Sequence, residues 1–103
     1  AIVEAPASKS SDVQTAAQSL VGRVDAVYVP TDNTVVSAFE ALVQVGRQNK
    51  LPVIAGDIDS VARGAIAAVG FDYLEVGRQT GRMVARVLRG EGPHTIITEE
   101  AAA

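Results

Sequence analysis

Two short polar runs, Thr31-Asp32-Asn33-Thr34 and Gly56-Asp57-Ile58-Asp59-Ser60, contain the side chains in this sequence best suited to bind a ligand. Each run follows a stretch of apolar, strand-forming residues. Carboxylates suit an ammonium group or sugar hydroxyls, whereas the free N–H groups at a helix start suit a carboxylate or phosphate. Together the two runs could hold a small zwitterion by both of its ends. The candidate ligand contacts are Thr31, Asp32, Asn33, Thr34, Asp57, Asp59 and Ser60.

The same residue types are also typical of two other features. Asp, Asn, Ser and Thr are the preferred N-caps of helices, and one such cap stabilises a helix by about 1 kcal/mol. The pair Asp57 and Asp59 is also typical of a magnesium site, because Mg²⁺ takes one or two carboxylates together with phosphate oxygens. The residues alone leave capping, zwitterion binding and magnesium binding open.

Other side chains offer less chemistry. His94 is the only histidine and lies beside Gly92 and Pro93, so we expect an exposed loop residue rather than a catalytic base. We expect no catalytic residue, no metal and no cofactor. Gly77 and Gly81 are four residues apart, which predicts close packing against a neighbouring element. Four arginines at helical spacing predict the solvent-exposed side of the last helix, namely Arg78, Arg82, Arg86 and Arg89.

Strand and helix patterns alternate along the chain, which predicts an α/β fold with an open, mostly parallel sheet and flanking helices. The predicted strands are Ile2–Ala5, Asp25–Val29, Leu51–Ala55, Ala67–Phe71 and Thr95–Thr98. A capping box at Ser11 and Gln14 predicts the start of the first helix, and Gly22 its end. The second helix ends near Lys50, a short helix capped by Ser60 runs through Ala65, and Gly90 ends the last helix.

Composition limits the class of protein. The chain has 103 residues, 48% of them hydrophobic and 20% charged, which is enough apolar surface for a folded core. A net charge of −3 argues against a nucleic-acid binder, whose usual mark is a basic surface. There is no cysteine, and no apolar run reaches the length of about 20 residues that spans a bilayer. The sequence opens without Met, and we expect it to be a piece of a longer protein.

Three phrases carry a resemblance to a known family: YVPTDNTV, AGDIDSV and GFDYLEVGRQTG. The chain resembles the ABC transporter substrate-binding proteins of the tryptophan/tyrosine-uptake type, which have the two-lobed type I periplasmic-binding-protein fold. The resemblance implies a Rossmann-like or flavodoxin-like lobe that is incomplete, with residues 1–103 as a single partial domain from the C-terminal lobe. It also implies that the first lobe, and one strand and helix of the second, lie outside this sequence.

The resemblance implies a function as well. Such a protein closes two lobes on an amino-acid-like ligand, aromatic or other, and delivers it to an ABC permease without catalysis. We expect Asp32 or Asp57 to contact the ligand's ammonium group, and the Thr34 hydroxyl and the amides near Asn33 to Val35 to contact its carboxylate. The parent protein would be extracytoplasmic, either periplasmic or a cell-surface lipoprotein held at the membrane by its lipid anchor.

Three further expectations accompany this assignment. The exposed strand edges and helix surface of an incomplete lobe predict a homodimer or a swapped assembly. The first alternative function is a magnesium-dependent phosphotransfer domain of the receiver type. The second is the ligand-sensing half of a transcriptional regulator.

Overall fold

The computed structural model describes residues 1–101, which fall into two compact units, Ala1–Gly70 and a second unit that begins at Phe71. In the first unit, three parallel strands lie in the order β1-β2-β3. The strands are β1 (Val27–Val29), β2 (Val53–Ala55) and β3 (Ala67–Ala68), and the helices of this unit are α1 (Val13–Leu20), α2 (Asn33–Ser37) and α3 (Phe39–Asn49). The prediction of an α/β fold with an open parallel sheet and flanking helices is confirmed.

One face of the sheet forms the core. Val27 and Val29 of β1 lie opposite Val53 and Ala55 of β2 and point towards α1 and α3. Helix α3 contributes Phe39, which is completely buried. Because consecutive strand residues point to opposite faces, Tyr28 lies on the other face, where 65% of its surface is exposed.

The strands are shorter than the sequence predicts. Pro52 directly precedes β2, and proline has no backbone N–H to donate towards β1. Pairing therefore covers three residues in each of these strands. The fourth predicted strand, Ala67–Phe71, is reduced to the two residues of β3.

The predicted strand Ile2–Ala5 is wrong, because these residues lie outside any strand. Val3, Ala5 and Ala7 nevertheless pack against the core and are half-buried, while the residues between them are exposed. The segment thus has the side-chain alternation of a strand without its backbone pairing. Between residues 1–7 and the free edge of β1 runs an open trough of about 830 Å³, which separates the segment from a pairing partner.

The second predicted helix is broken in two. At Ala38 the backbone leaves the helical region, with φ −120° and ψ 30°, so α2 ends and α3 begins there. The predicted end near Lys50 is confirmed, since Lys50 adopts a left-handed conformation after α3. The predicted capping box at Ser11 is wrong: a 3₁₀ turn at Ser10–Asp12 leads into α1, and the cap side chains make no bond to it among the described residues.

The second unit contains α4 (Tyr73–Leu88) and a 3₁₀ turn at Pro93–Thr95. The predicted strand Thr95–Thr98 is wrong, because Thr95 ends that turn and the residues after it form no strand. Asp72 caps α4 by accepting from the N–H groups of Leu74 and Glu75.

All residues of α4 are exposed or half-buried. Among the described residues, nothing lies within 4 Å of a Cβ placed on Gly77 or Gly81, so the neighbour predicted to pack there is not in this part of the chain. Arg78 pairs with Glu75, and Arg86 pairs with Glu91, on the solvent side as expected. No helix of the described residues has the length and apolar character needed to cross a membrane.

Candidate functional site

Asp32 lies in the loop between β1 and α2. Its side chain accepts a hydrogen bond from the backbone N–H of Thr34 at 2.8 Å, so Asp32 is the N-cap of α2. The capping role that the sequence left open for this polar run is therefore observed. Capping uses the Oδ1 atom of Asp32, and the residue is exposed, so the carboxylate keeps a face open to solvent.

Asp57 repeats the arrangement after β2. Its Oδ1 accepts from the N–H of Asp59 at 3.0 Å and caps a 3₁₀ turn at Ile58–Val61. The prediction that Ser60 caps a helix through Ala65 is wrong, because the turn starts earlier and Ser60 lies inside it. Asp and Asn side chains readily accept a hydrogen bond from the backbone N–H two residues on. Asp57, the first such residue after β2, therefore caps the turn instead of Ser60.

The two loops are joined to each other at the carboxyl edge of the sheet. The hydroxyl of Thr31 donates to the carbonyl of Gly56 at 3.1 Å, and the Gly56 N–H donates to the Val29 carbonyl at 2.8 Å. Ligands of open α/β sheets bind at this edge, outside the carboxyl ends of the strands. The structure therefore brings the Asp32 and Asp57 loops side by side.

A third strand exit meets the same place. A Cβ on Gly70 would lie 2.5 Å from the carbonyl oxygen of Gly56, so only glycine allows the chain after β3 to approach this closely. We call the loops around Thr31, Gly56 and Gly70 the rim. The rim contains exits from all three strands of the described sheet.

The remaining predicted residues divide by burial. Asn33, which is exposed, and Thr34, which is half-buried, begin α2 next to Asp32, and Asp59 is exposed next to Asp57. Ser60 is different, since it is 1% exposed and its hydroxyl has no hydrogen-bond partner among residues 1–101. Ser60 lies beneath the rim surface rather than on it.

Sequence reasoning missed two residues that shape the rim. The hydroxyl of Tyr28 would lie 3.1 Å from a Cβ on Gly56, which places the tip of this exposed tyrosine at the rim. Gly70 lies inside a predicted strand, and its tight contact with Gly56 depends on a fold that no local pattern reveals. For Tyr28 a signal existed, because it is the one outward-facing aromatic residue in β1.

Charge near the rim is mainly negative. Asp32, Asp57 and Asp59 belong to its loops, and the charge of Arg63 interacts with that of Asp57. The pKa of Arg63 is raised chiefly by its hydrogen bond to Glu40 and further by the charge of Asp57. Among residues 1–101, no three His, Cys, Asp or Glu side chains lie close enough together to hold a metal ion. Asp57 and Asp59 thus have no third ligand of this kind within the described chain.

The trough of about 830 Å³ does not coincide with the rim. The trough beside β1 reaches Asp32 and Val35 at one end, but it contains none of the other predicted site residues. Its walls include the extended segment of residues 1–7, one side of α1 and the edge of β1. We interpret the trough as an unfilled strand position rather than as the ligand pocket.

Known proteins resemble this chain in sequence and in fold. The sequence profile of the family described as ABC transporter substrate binding protein matches residues 1–103. A curated relative, the Tyrosine-binding protein of Clostridioides difficile, is 43% identical over 90 residues, which are 87% of this chain and 26% of that protein.

Two solved structures are also similar. A conserved domain protein from Vibrio cholerae superposes with a TM-score of 0.79 at 41% identity, over 96% of this chain and 34% of that one. An ABC domain from Streptococcus pneumonia in complex with L-Trp gives a TM-score of 0.73 at 30% identity, over 84% of this chain and 30% of that one. The chain therefore spans about a third or less of each relative, and the fold is that of part of a binding-protein lobe.

Proposed function

We propose that this chain, which belongs to the ABC transporter substrate-binding protein family, forms one wall of a site for an aromatic amino acid. The observation that supports this most directly is the hydrogen bond from Thr31 to Gly56, which joins the Asp32 and Asp57 loops at one edge of the sheet. Members of this family bind solutes without converting them, so the expectation that the chain is not an enzyme is confirmed.

The rim offers a group for each end of a zwitterion. Asp32 or Asp57 would contact the ammonium group through the carboxylate oxygen that capping leaves free. The Asn33 side chain and the Thr34 hydroxyl would contact the ligand's carboxylate, together with amides that the Asp32 cap does not use. Thr31 and Asp59 would surround these contacts, and Ser60 would support them from beneath. Pairing both charges matters because an unpaired buried charge costs several kcal/mol.

The names of two relatives support an aromatic ligand. One is a tyrosine-binding protein, and the other is a structure in complex with L-Trp. In the whole protein, the second wall would come from a first lobe outside these 103 residues. Small-molecule sites bury about 70 to 90% of the ligand surface, so this chain alone should bind weakly, in the roughly millimolar range.

An NMR titration of the labelled chain tests the proposal. L-tyrosine and L-tryptophan should shift the amide signals of Asn33–Val35 and Asp57–Ser60. Tyramine lacks the carboxylate, and 3-(4-hydroxyphenyl)propionate lacks the ammonium group, so each should shift them much less at equal concentration. Equal shifts with all of these compounds, or shifts located elsewhere, would contradict binding of a zwitterion at the rim.

The Asp57→Asn variant separates charge from capping. Asparagine caps a helix about as well as aspartate, so the variant should keep its stability and lose the tyrosine-dependent shifts. Asp12→Asn is the matched control, because Asp12 is exposed at the start of α1 and its side chain caps no N–H group of that helix among the described residues. An Asp57→Asn chain that responds to tyrosine as the wild type does would remove Asp57 from the site.

The biological setting follows from the family. We propose that the whole protein is extracytoplasmic, periplasmic or a cell-surface lipoprotein held at the membrane by its anchor, and that it passes its ligand to an ABC permease. We also propose that residues 1–103 are a single partial domain of the C-terminal lobe. Of the alternatives, the family match favours transport over a transcriptional regulator, and the magnesium-dependent phosphotransfer domain gains no support from a ligand cluster among the described residues.

For the chain purified alone, we propose a homodimer or swapped assembly in which a second copy fills the trough. Val27 and Val29 direct their backbone groups towards β2, so those of Tyr28 face the trough by alternation. A strand with a free edge readily pairs with another chain. Gel filtration with light scattering should give a dimer, and a compact monomer that persists on dilution would refute the assembly.

A further inference from the structure

Arg63 connects the two site loops at a point behind the rim. Its guanidinium donates to both carboxylate oxygens of Glu40 at 2.7 Å, and its Nη2 also donates to the backbone carbonyl of Val36 at 2.7 Å. Val36 belongs to α2, the helix that starts at the Asp32 loop, and Glu40 belongs to the first turn of α3. One side chain therefore spans the break between α2 and α3.

The backbone of Arg63 is tied to the other loop. Its N–H donates to the carbonyl of Ser60, the buried residue within the 3₁₀ turn that Asp57 caps. The next residue, Gly64, has φ +119°, and a Cβ there would lie 2.6 Å from Cγ1 of Val43 in α3. Only glycine fits, so the turn that delivers Arg63 is held directly against α3.

The guanidinium also lies against the hydrophobic core. It lies 5.5 Å from the centre of the ring of Phe39, which is completely buried, and 32% of the Arg63 side chain is exposed. Arginine suits the site because its planar fork can bond a carboxylate with two N–H groups while its face stacks on a ring. A lysine carries the charge but cannot reproduce the fork.

We propose that Arg63 is a positioning residue of the binding site. It holds α2 and the Asp32 loop in a fixed orientation relative to the Asp57 loop. The break at Ala38 gives α2 no continuous helix behind it, so its direction depends on contacts with other elements. The Thr31–Gly56 bond fixes one end of α2 at the rim, and Arg63 fixes the other. The consequence for ligand affinity rests on the proposed function, whereas the consequence for the direction of α2 does not.

The first experiment needs no ligand. Residual dipolar couplings of the labelled chain report the orientation of α2 amides relative to those of α1 and α3. In Arg63→Met the α2 couplings should depart from the wild-type values, while the α1 couplings should stay. Arg63→Lys should show the same departure, because an ammonium group cannot bond both oxygens of Glu40 and the Val36 carbonyl in one plane. Unchanged α2 couplings in both variants would overturn the proposal.

A matched control separates positioning from simple loss of an ion pair. Arg86 makes a similar two-pronged pair with Glu91 in the second unit, at 2.7 and 3.1 Å. Arg86→Met removes such a pair and should leave the α2 couplings unchanged. If Arg86→Met moved them as much as Arg63→Met does, the effect would reflect general loss of stability, and the positioning role would be refuted.

The second experiment repeats the tyrosine titration at a temperature where each variant is fully folded. Arg63→Met should weaken the tyrosine response by about tenfold, the order expected when charge-assisted hydrogen bonds are misplaced. A wild-type chain without any response would refute the proposed ligand while the coupling experiment still decides the role of Arg63. If the α2 couplings of Arg63→Met differ from those of the wild type but its affinity for tyrosine does not, the direction of α2 does not control binding. That result would overturn the functional part of the inference.

Discussion

Gly64 allows a stability prediction with a magnitude that follows from its surroundings. Gly64→Ala introduces a side chain at φ +119°, a conformation that costs a residue other than glycine about 1 to 3 kcal/mol. The new methyl group would also lie 2.6 Å from Val43, and overpacking of this kind costs about 1 to 3 kcal/mol. Reduced freedom of the unfolded chain offsets about 0.4 to 1 kcal/mol. We expect a net loss of about 3 kcal/mol in the free energy of unfolding.

Urea unfolding followed by circular dichroism measures this loss. With a slope of about 1.5 kcal/mol per molar urea, the midpoint should fall by about 2 M. Gly22→Ala is the matched control, because Gly22 has φ +78° but nothing among the described residues within 4 Å of its Cβ position. That variant should lose only the conformational part, about 1 kcal/mol.

A second background tests the steric reason directly. Val43→Ala removes the methyl groups that a Gly64 side chain would meet, so the cost of Gly64→Ala should be about 2 kcal/mol smaller there than in the wild type. An equal cost in both backgrounds, or a cost equal to that of Gly22→Ala, would refute the reasoning.

Two further predictions concern single side chains. The pKa of Glu40 is lowered from 4.5 to about 2. The main cause is the hydrogen bond from Arg63, and the backbone N–H of Glu40 itself and the Arg63 charge lower it further. The ion pair therefore stabilises the fold fully above pH 4.5 and loses that contribution as the pH falls towards 2. Glu40→Gln should therefore flatten the pH dependence of the unfolding free energy, measured with urea, in that range. An unchanged pH dependence would contradict a stabilising role of the pair. Asp72→Ala removes the cap of α4 and should lower stability by about 1 kcal/mol, whereas Asp72→Asn should lower it little. Thermal melting compares both Asp72 variants with the wild type, and equal melting points for all three chains would count against the cap.

The fold could be predicted because its signals are local. Apolar runs at Asp25–Val29 and Leu51–Ala55, each followed by a polar helix start, are enough to predict the order of the central strands and helices. The lengths could not be predicted as well, since pairing depends on neighbours as well as on propensity. Ile2–Ala5 shows this most clearly, because it has strand-forming residues but no adjacent strand to bond with.

The placement of the candidate residues was predictable in part for the same reason. Asp32 and Asp57 stand out in sequence because each follows a strand, and parallel strands bring their exits to one edge. Arg63 and Gly70 gave no signal, since their roles come from partners that are far away in sequence, at Glu40 and Gly56. The prediction for Ser60 was wrong, because Asp57, three residues earlier, already caps the turn and Ser60 lies inside it.

The position of the extended segment at residues 1–7 along the core is weakly fixed. Its position is set by the burial of Val3, Ala5 and Ala7, and no ladder of backbone bonds to other residues of the range 1–101 holds it. Because alternate side chains share one face, a slide by two places that brings Ala1, Val3 and Ala5 to these positions keeps small apolar groups against the core. The amide protons of this segment should exchange with solvent quickly even though Val3, Ala5 and Ala7 are packed, and the two positions should coexist until a strand enters beside the segment.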